Sequence, residues 1–174
     1  MSGNGDPFAS LVYLDIVKLL AEFDNVYFMI KTNGLLLQSH LPKFNIPVNR
    51  IVRLSVSIDA ATEQIYNIVR RGGQWNQLLE NLEYLKRSDI KDLRSHFVIQ
   101  RDNINDVIPF VEFCNQYNMH PQYTVLQDWG TWHNFKEHCV HIPTSPYYEQ
   151  FKKIINDPIF EKYKININEL KSWI

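Results

Sequence analysis

Four short runs rich in β-branched and aromatic residues, at 26–30, 51–58, around 97–99 and at 123–126, are each separated by enough chain for a helix. Antiparallel neighbours need only a tight turn, whereas parallel neighbours need a crossover long enough to hold a helix, so this alternation reads as an α/β chain with a parallel sheet. The intervening stretches carry helical spacing. Ser10 caps a helix to about residue 23 through Leu11, Leu14, Val17 and Leu20. A helix over 61–69 closes at Gly72-Gly73, and Trp75, Leu78, Leu79, Leu82 and Leu85 form the clearest apolar stripe in the chain. Asn105 caps a helix through residue 117 with Pro109 in its first turn, and short helices follow over 148–155 and 168–173. With no internal repeat and no linker, residues 1–174 read as a single domain whose C-terminal helices begin at about 146.

Charge narrows the function classes. The 18 Lys and Arg against 19 Asp and Glu leave no electrostatic footprint for nucleic acid or an anionic membrane. No apolar run spans a bilayer and no signal peptide opens the chain, so the expected location is the cytoplasm. Cys114 and Cys139 are the only cysteines, which suits reduced thiols better than a disulfide scaffold.

The polar residues cluster where the strands end. Thr32-Asn33-Gly34 follows the first strand, and Ser57 and Asp59 bracket the end of the second. Gln100 and Asn103 follow the third, and Gln127-Asp128-Trp129-Gly130 follows the fourth. Ligands of parallel α/β folds bind at the carboxyl ends of the strands, so these clusters predict one shared pocket, set against the plainer reading that they are loop starts and helix caps. Gly3-Asn4-Gly5-Asp6-Pro7 places flexible backbone beside a carboxylate, a pattern that lets main chain approach a ligand. Phe8 stands where a dinucleotide fingerprint would need its third glycine. His133, His138, Cys139 and His141 could suggest zinc, but they fit no standard ligand spacing and read as solvated loop residues, so no metal site is expected. Arg70 and Arg71 read as the positive end of a helix, with a carboxylate or phosphate clamp as the alternative.

Together, Asn4-Gly5-Asp6-Pro7, Thr32-Asn33-Gly34, the block 56–62 (Val-Ser-Ile-Asp-Ala-Ala-Thr), Tyr66, Arg70-Arg71-Gly72-Gly73 and the Trp75 helix resemble the radical S-adenosylmethionine (SAM) enzymes, in particular the subgroup that often carries a SPASM or twitch domain. The resemblance runs from residue 3 to about 150 and implies a partial parallel (β/α) barrel, here of about four of six strands. It implies that Asn4, Gly5 and Asp6 hold the methionine amino group of SAM, with Thr32 and Asn33 beside them. Ser57 and Asp59 would meet its ribose or carboxylate, and Gln100, Asn103 and Asp128 would face the substrate. The departure is that the family's CxxxCxxC loop, whose thiolates bind a four-iron cluster, has no counterpart: two cysteines 25 residues apart supply no such set. The sequence therefore reads as a truncated relative, inactive as written, whose Met1 begins after the cluster loop. The alternative is a standalone cluster-free domain that binds a nucleoside or SAM, or a protein partner. Loss of barrel strands would expose an edge and an apolar interior, which predicts a homo-oligomer.

Overall fold

Strand β1 (Phe28–Thr32) is followed by β2 (Ile51–Ser57), β3 (Leu93–Ile99) and β4 (His120–Val125) in the computed structural model, which describes residues 5–128, 130 and 133–174. The sheet order is β1-β2-β3-β4 and every pairing is parallel, so each connection is a single crossover between neighbours. The sheet is not closed into a barrel, as a partial barrel of four strands requires. Asn4, Trp129 and Thr131 lie outside the described residues.

The crossovers and flanks carry α1 (Leu11–Ala21), α2 (Leu37–His40), α3 (Glu63–Val69), α4 (Trp75–Lys86), α5 (Pro109–Gln116), α6 (Phe135–His138), α7 (Tyr148–Ile155), α8 (Ile159–Lys162) and α9 (Asn168–Lys171). Two boundaries differ from the sequence expectation for local reasons. Asn105 caps nothing; residues Ile104–Asp106 form a tight turn of 3-10 helix, and α5 starts at Pro109, whose missing N–H suits a first helical position. β4 starts at His120 and takes in Pro121, which an outer strand tolerates because it has a neighbour on one side only.

One face of the sheet is the core. Phe28, Ile30, Leu54, Val56, Phe97 and Ile99 are buried under Leu78, Leu82 and Leu85 of α4 and Phe110, Val111 and Cys114 of α5. The Trp75 stripe is thus core packing, with the indole against Tyr66 and Phe113 at ring separations of 5.2 and 5.5 Å. The alternate residues of the strands, Lys31, Arg53, Ser55, Ser57, Arg94, His96, Gln122 and Thr124, share the opposite face. The C-terminal helices pack at β4, where Phe160 meets the edge of Tyr123 at 5.6 Å and Leu170 is fully buried.

Helix α1 is attached differently. Val17 is its only fully buried residue, while Leu11, Val12, Ile16, Leu19 and the following Phe23 are exposed. Its C-terminal end is held by the buried Arg50, whose guanidinium donates to the carbonyls of Ala21 and Phe23 and lies over the Phe28 ring. A cation at that end also complements the helix dipole.

The turn after β1 depends on Gly34. Its φ is +87°, and a Cβ there would lie 2.7 Å from Val56 Cγ1 and 2.9 Å from Leu78 Cδ1. Gly34→Ala is therefore expected to lower the unfolding free energy by about 2–4 kcal/mol, combining left-handed strain with overpacking. Urea titration of the two proteins measures it.

Candidate functional site

The end of β1 is built around Asp6. Its Oδ1 accepts from Phe8 N at 3.0 Å, capping the short turn Pro7–Ala9, and its Oδ2 accepts from Thr32 Oγ1 at 2.7 Å and Asn33 N at 2.6 Å. Thr32 Oγ1 in turn accepts from Gly34 N, and Asn33 Oδ1 from Leu35 N. One carboxylate thus welds the N-terminal loop to the strand end, 26 residues away in sequence. The result is a pocket of about 440 Å³ lined by Gly5, Asp6, Lys31, Thr32, Asn33, Ser57 and Arg70. Five of the residues singled out in the sequence, Gly5, Asp6, Thr32, Asn33 and Ser57, converge here.

Asp59, Gln100 and Asn103 stand behind the pocket instead of lining it. Asp59 has φ +63° and is buried, with Oδ1 accepting from Val98 N at 2.7 Å and Oδ2 paired with Arg70 at 2.6 Å. Burial raises its carboxyl pKa, and Arg70 opposes that rise. Asn103 is fully buried: its Oδ1 accepts from Gln100 N, and its Nδ2 donates to the carbonyls of Asp59 and Val98, at 2.8–2.9 Å. Gln100 is buried too, with Oε1 lacking a partner among the described residues. Asp106 completes the brace by accepting from Ala61 N, Thr62 N and Thr62 Oγ1.

Two cations complete the pocket: Lys31, which had no reading in the sequence, and Arg70, read there as a helix end with an anion clamp as the alternative. Lys31 reaches it because β1 runs to Thr32, beyond the expected end at 30, which puts Lys31 on the open face. Arg70 does end α3, as its position suggested, but its side chain turns back to Asp59 and the pocket. The signal available was the pairing of an acid after β2 with an arginine at the end of the next helix.

Chemically the pocket is suited to a polar ligand carrying a negative group. The side chains of Lys31 and Ser57 make no hydrogen bond or ion pair among the described residues, and Arg70 Nε is buried without a partner. Asp6 already accepts three hydrogen bonds, so it contributes position and charge more than spare acceptor capacity.

The cysteines are elsewhere and inert. Cys114 is fully buried in α5 and burial pushes its thiol up, with Ser95 opposing; Cys139 is buried after α6 and its thiol is raised as well. Thiolate ligands need the reverse shift. Among the described residues no group of three or more His, Cys, Asp and Glu could hold a metal ion. His133 is exposed, in line with the sequence reading, but the other two loop histidines depart from it: His141 is buried with its ring against Trp173 at 4.6 Å, and the partly buried His138 has Nδ1 3.2 Å from Asp102. No helix among the described residues is long and apolar enough to cross a membrane.

His96 on the open face reports the local field. Burial first, then the positive charges of Lys31 and Arg70, lower its pKa from 6.5 to about 4. The folded protein thus resists a proton that the unfolded chain accepts below 6.5, so His96 removes stability as pH falls from about 6.5 to about 4. Urea unfolding across that window is expected to show a smaller acid-side loss for His96→Asn than for the parent; equal slopes would contradict it.

Comparison with known proteins matches this architecture. The family model described as the Radical SAM superfamily matches residues 1–114. The GTP 3',8-cyclase of Synechocystis sp. is 23% identical over 115 residues, covering 66% of this chain and 35% of the relative. The GTP 3',8-cyclase of Limosilactobacillus fermentum is 24% identical over 121 residues, 68% of this chain and 36% of the relative. The chain spans about a third of the length of these curated relatives. A structure of TYW1 with a lysine-pyruvate adduct bound shares the fold at a TM-score of 0.60 and 19% identity, over 88% of this chain and 46% of that one. An archaeal TYW1 aligns at 0.51 and 21% identity, over 71% and 40%. A match over two thirds of the chain, on a parallel sheet with its polar pocket at the strand ends, makes this chain a member of the radical SAM superfamily.

Proposed function

We propose that this chain forms part of a radical SAM core, that its strand-end pocket holds SAM, and that it does not cleave SAM by itself. The observation that carries the reading is the convergence of Gly5, Asp6, Thr32, Asn33, Ser57 and Arg70 in one pocket of a family-matched sheet whose two cysteines are buried and unactivated. In the family, a four-iron cluster held by three thiolates reduces and cleaves SAM; two cysteines do not fit that cluster. SAM itself fits the donor set. The loop at Asn4, Gly5 and Asp6 receives the methionyl amino group, and Lys31 and Arg70 offer charge to the carboxylate. Ser57 donates to the ribose, with Asp59 fixing Arg70 from behind. Gln100 and Asn103 hold the neighbouring strand end that faces the substrate side. The related cyclases act on GTP by name, and a cluster-free nucleoside-binding domain would use the same pocket.

Calorimetry with SAM and S-adenosylhomocysteine tests the reading. Submillimolar binding without iron is expected, weakened about tenfold by Ser57→Ala or Asp6→Asn, the scale of one hydrogen bond to a charged group. Absence of heat with either ligand would remove the SAM reading. Anaerobic reconstitution with iron and sulfide is expected to leave the protein without a bound cluster.

The chain also pairs with a second copy of itself in this proposal. Leu11, Val12, Ile16, Leu19 and Phe23 leave one side of α1 apolar and exposed, and Tyr27 and Met29 are exposed as well. Light scattering is expected to give a dimer or larger species that Leu19→Glu dissociates, and a monomeric parent at high concentration would contradict it.

A further inference from the structure

A second cavity, of about 660 Å³, runs along the open face of β3 and β4, meeting the strand-end pocket only where His96 pairs with Ser57, and the segment 163–169 walls it. The sheet side lies partly within the family match at 1–114, whereas the wall lies outside it. The wall is firmly placed: Tyr163 Oη donates to Glu112 at 2.6 Å, and Phe160, Ile167 and Leu170 are buried.

The lining is cationic once its pairs are resolved. Asp92 is held between two guanidiniums, accepting from Arg94 Nε at 2.7 Å and Nη2 at 3.0 Å and from Arg53 Nε at 2.7 Å. Arg53 lies outside the lining and offsets Asp92 from behind, and Arg94 Nη1 has no hydrogen bond among the described residues. Lys91 and Lys164 add charge, and Glu169 is the remaining acid. The field felt by His96 from Lys31 and Arg70 has the same sign.

Lys164 carries an independent mark. Ile165 N donates to Phe160 O and Lys164 N to Glu161 O, the pattern that closes a helix with a left-handed residue. Glycine normally fills that position, yet here a lysine sits at φ +53°. A residue held in a strained conformation beside a cavity points to a use for its side chain.

We propose that this groove binds an oxyanion-bearing small molecule, with Arg94 and Lys164 as its charged contacts. Phosphoryl and carboxylate groups share that chemistry, and the planar guanidinium and mobile ammonium suit either.

The test is an NMR titration of the histidine ring signals at constant pH and ionic strength, using pyrophosphate in one arm and malonate in the other. The expected result is a saturable shift of His120, which lines the groove and not the strand-end pocket, with the tighter probe assigning the group as phosphoryl or carboxylate. Lys164→Gly is expected to weaken that probe about tenfold while the unfolding midpoint stays level or rises, since glycine relieves the strain. Arg94→Gln is expected to weaken it similarly. Shifts absent with both probes, or undiminished binding by a folded Lys164→Gly protein, would overturn the proposal. SAM affinity, read on the same samples by calorimetry, reports the strand-end pocket separately, so neither reading falls with the other.

Discussion

Everything at the ligand end of the sheet depends on how three strand ends are closed off. Strands that stop leave carbonyl and amide groups unpaired, and a buried unpaired group is costly. Asn103 solves this for β2 and β3 together by bonding the carbonyls of Asp59 and Val98 and the amide of Gln100. Asp59 takes the Val98 amide and Asp106 the amides of Ala61 and Thr62. Asp6 plays the same part at β1. The pocket is shaped by side chains substituting for backbone partners, which is why its walls are polar and still rigid.

This division of labour explains what could be read from the sequence. Strand and helix order was legible because burial on one face imposes period 2 on strands and the Trp75 stripe imposes a helical period. Thr32, Asn33 and Ser57 were legible because position at a strand end is a sequence property. Whether a strand-end polar residue faces a ligand or a neighbouring strand is not: Ser57 lines the pocket, while Asn103 is fully enclosed. Both look alike in one dimension. Arg70 needed the turn of a guanidinium back across a loop, and Lys31 needed the last residues of β1, where a run of apolar residues gives no boundary. His141 was misread because its burial comes from Trp173, far along the chain.

Membership of the superfamily rests on the match over residues 1–114 and on the parallel sheet. The sheet and its crossovers are consistent with a partial fold of that family. Cys114 has the environment of a core residue. It occupies a sealed position between α5 and β3, its sulfur beside Ser95, where ionisation is disfavoured and no metal could approach without dismantling the core.

Arg50 has a consequence for motion. Helix α1 is anchored by the burial of Val17 and by one guanidinium at its C-terminal end, whereas α4 buries three leucines completely. Opening of α1 exposes Val17 and the partly buried Leu14 and Leu20 but no set of fully buried leucines like that of α4, so it separates from the sheet at a free energy below that of global unfolding. Its amide protons therefore exchange with solvent through detachment of this one helix, while those of β2 and β3 wait for the whole molecule to open. The N-terminal flank is a separate cooperative unit, latched by a cation that itself sits at the threshold of β2.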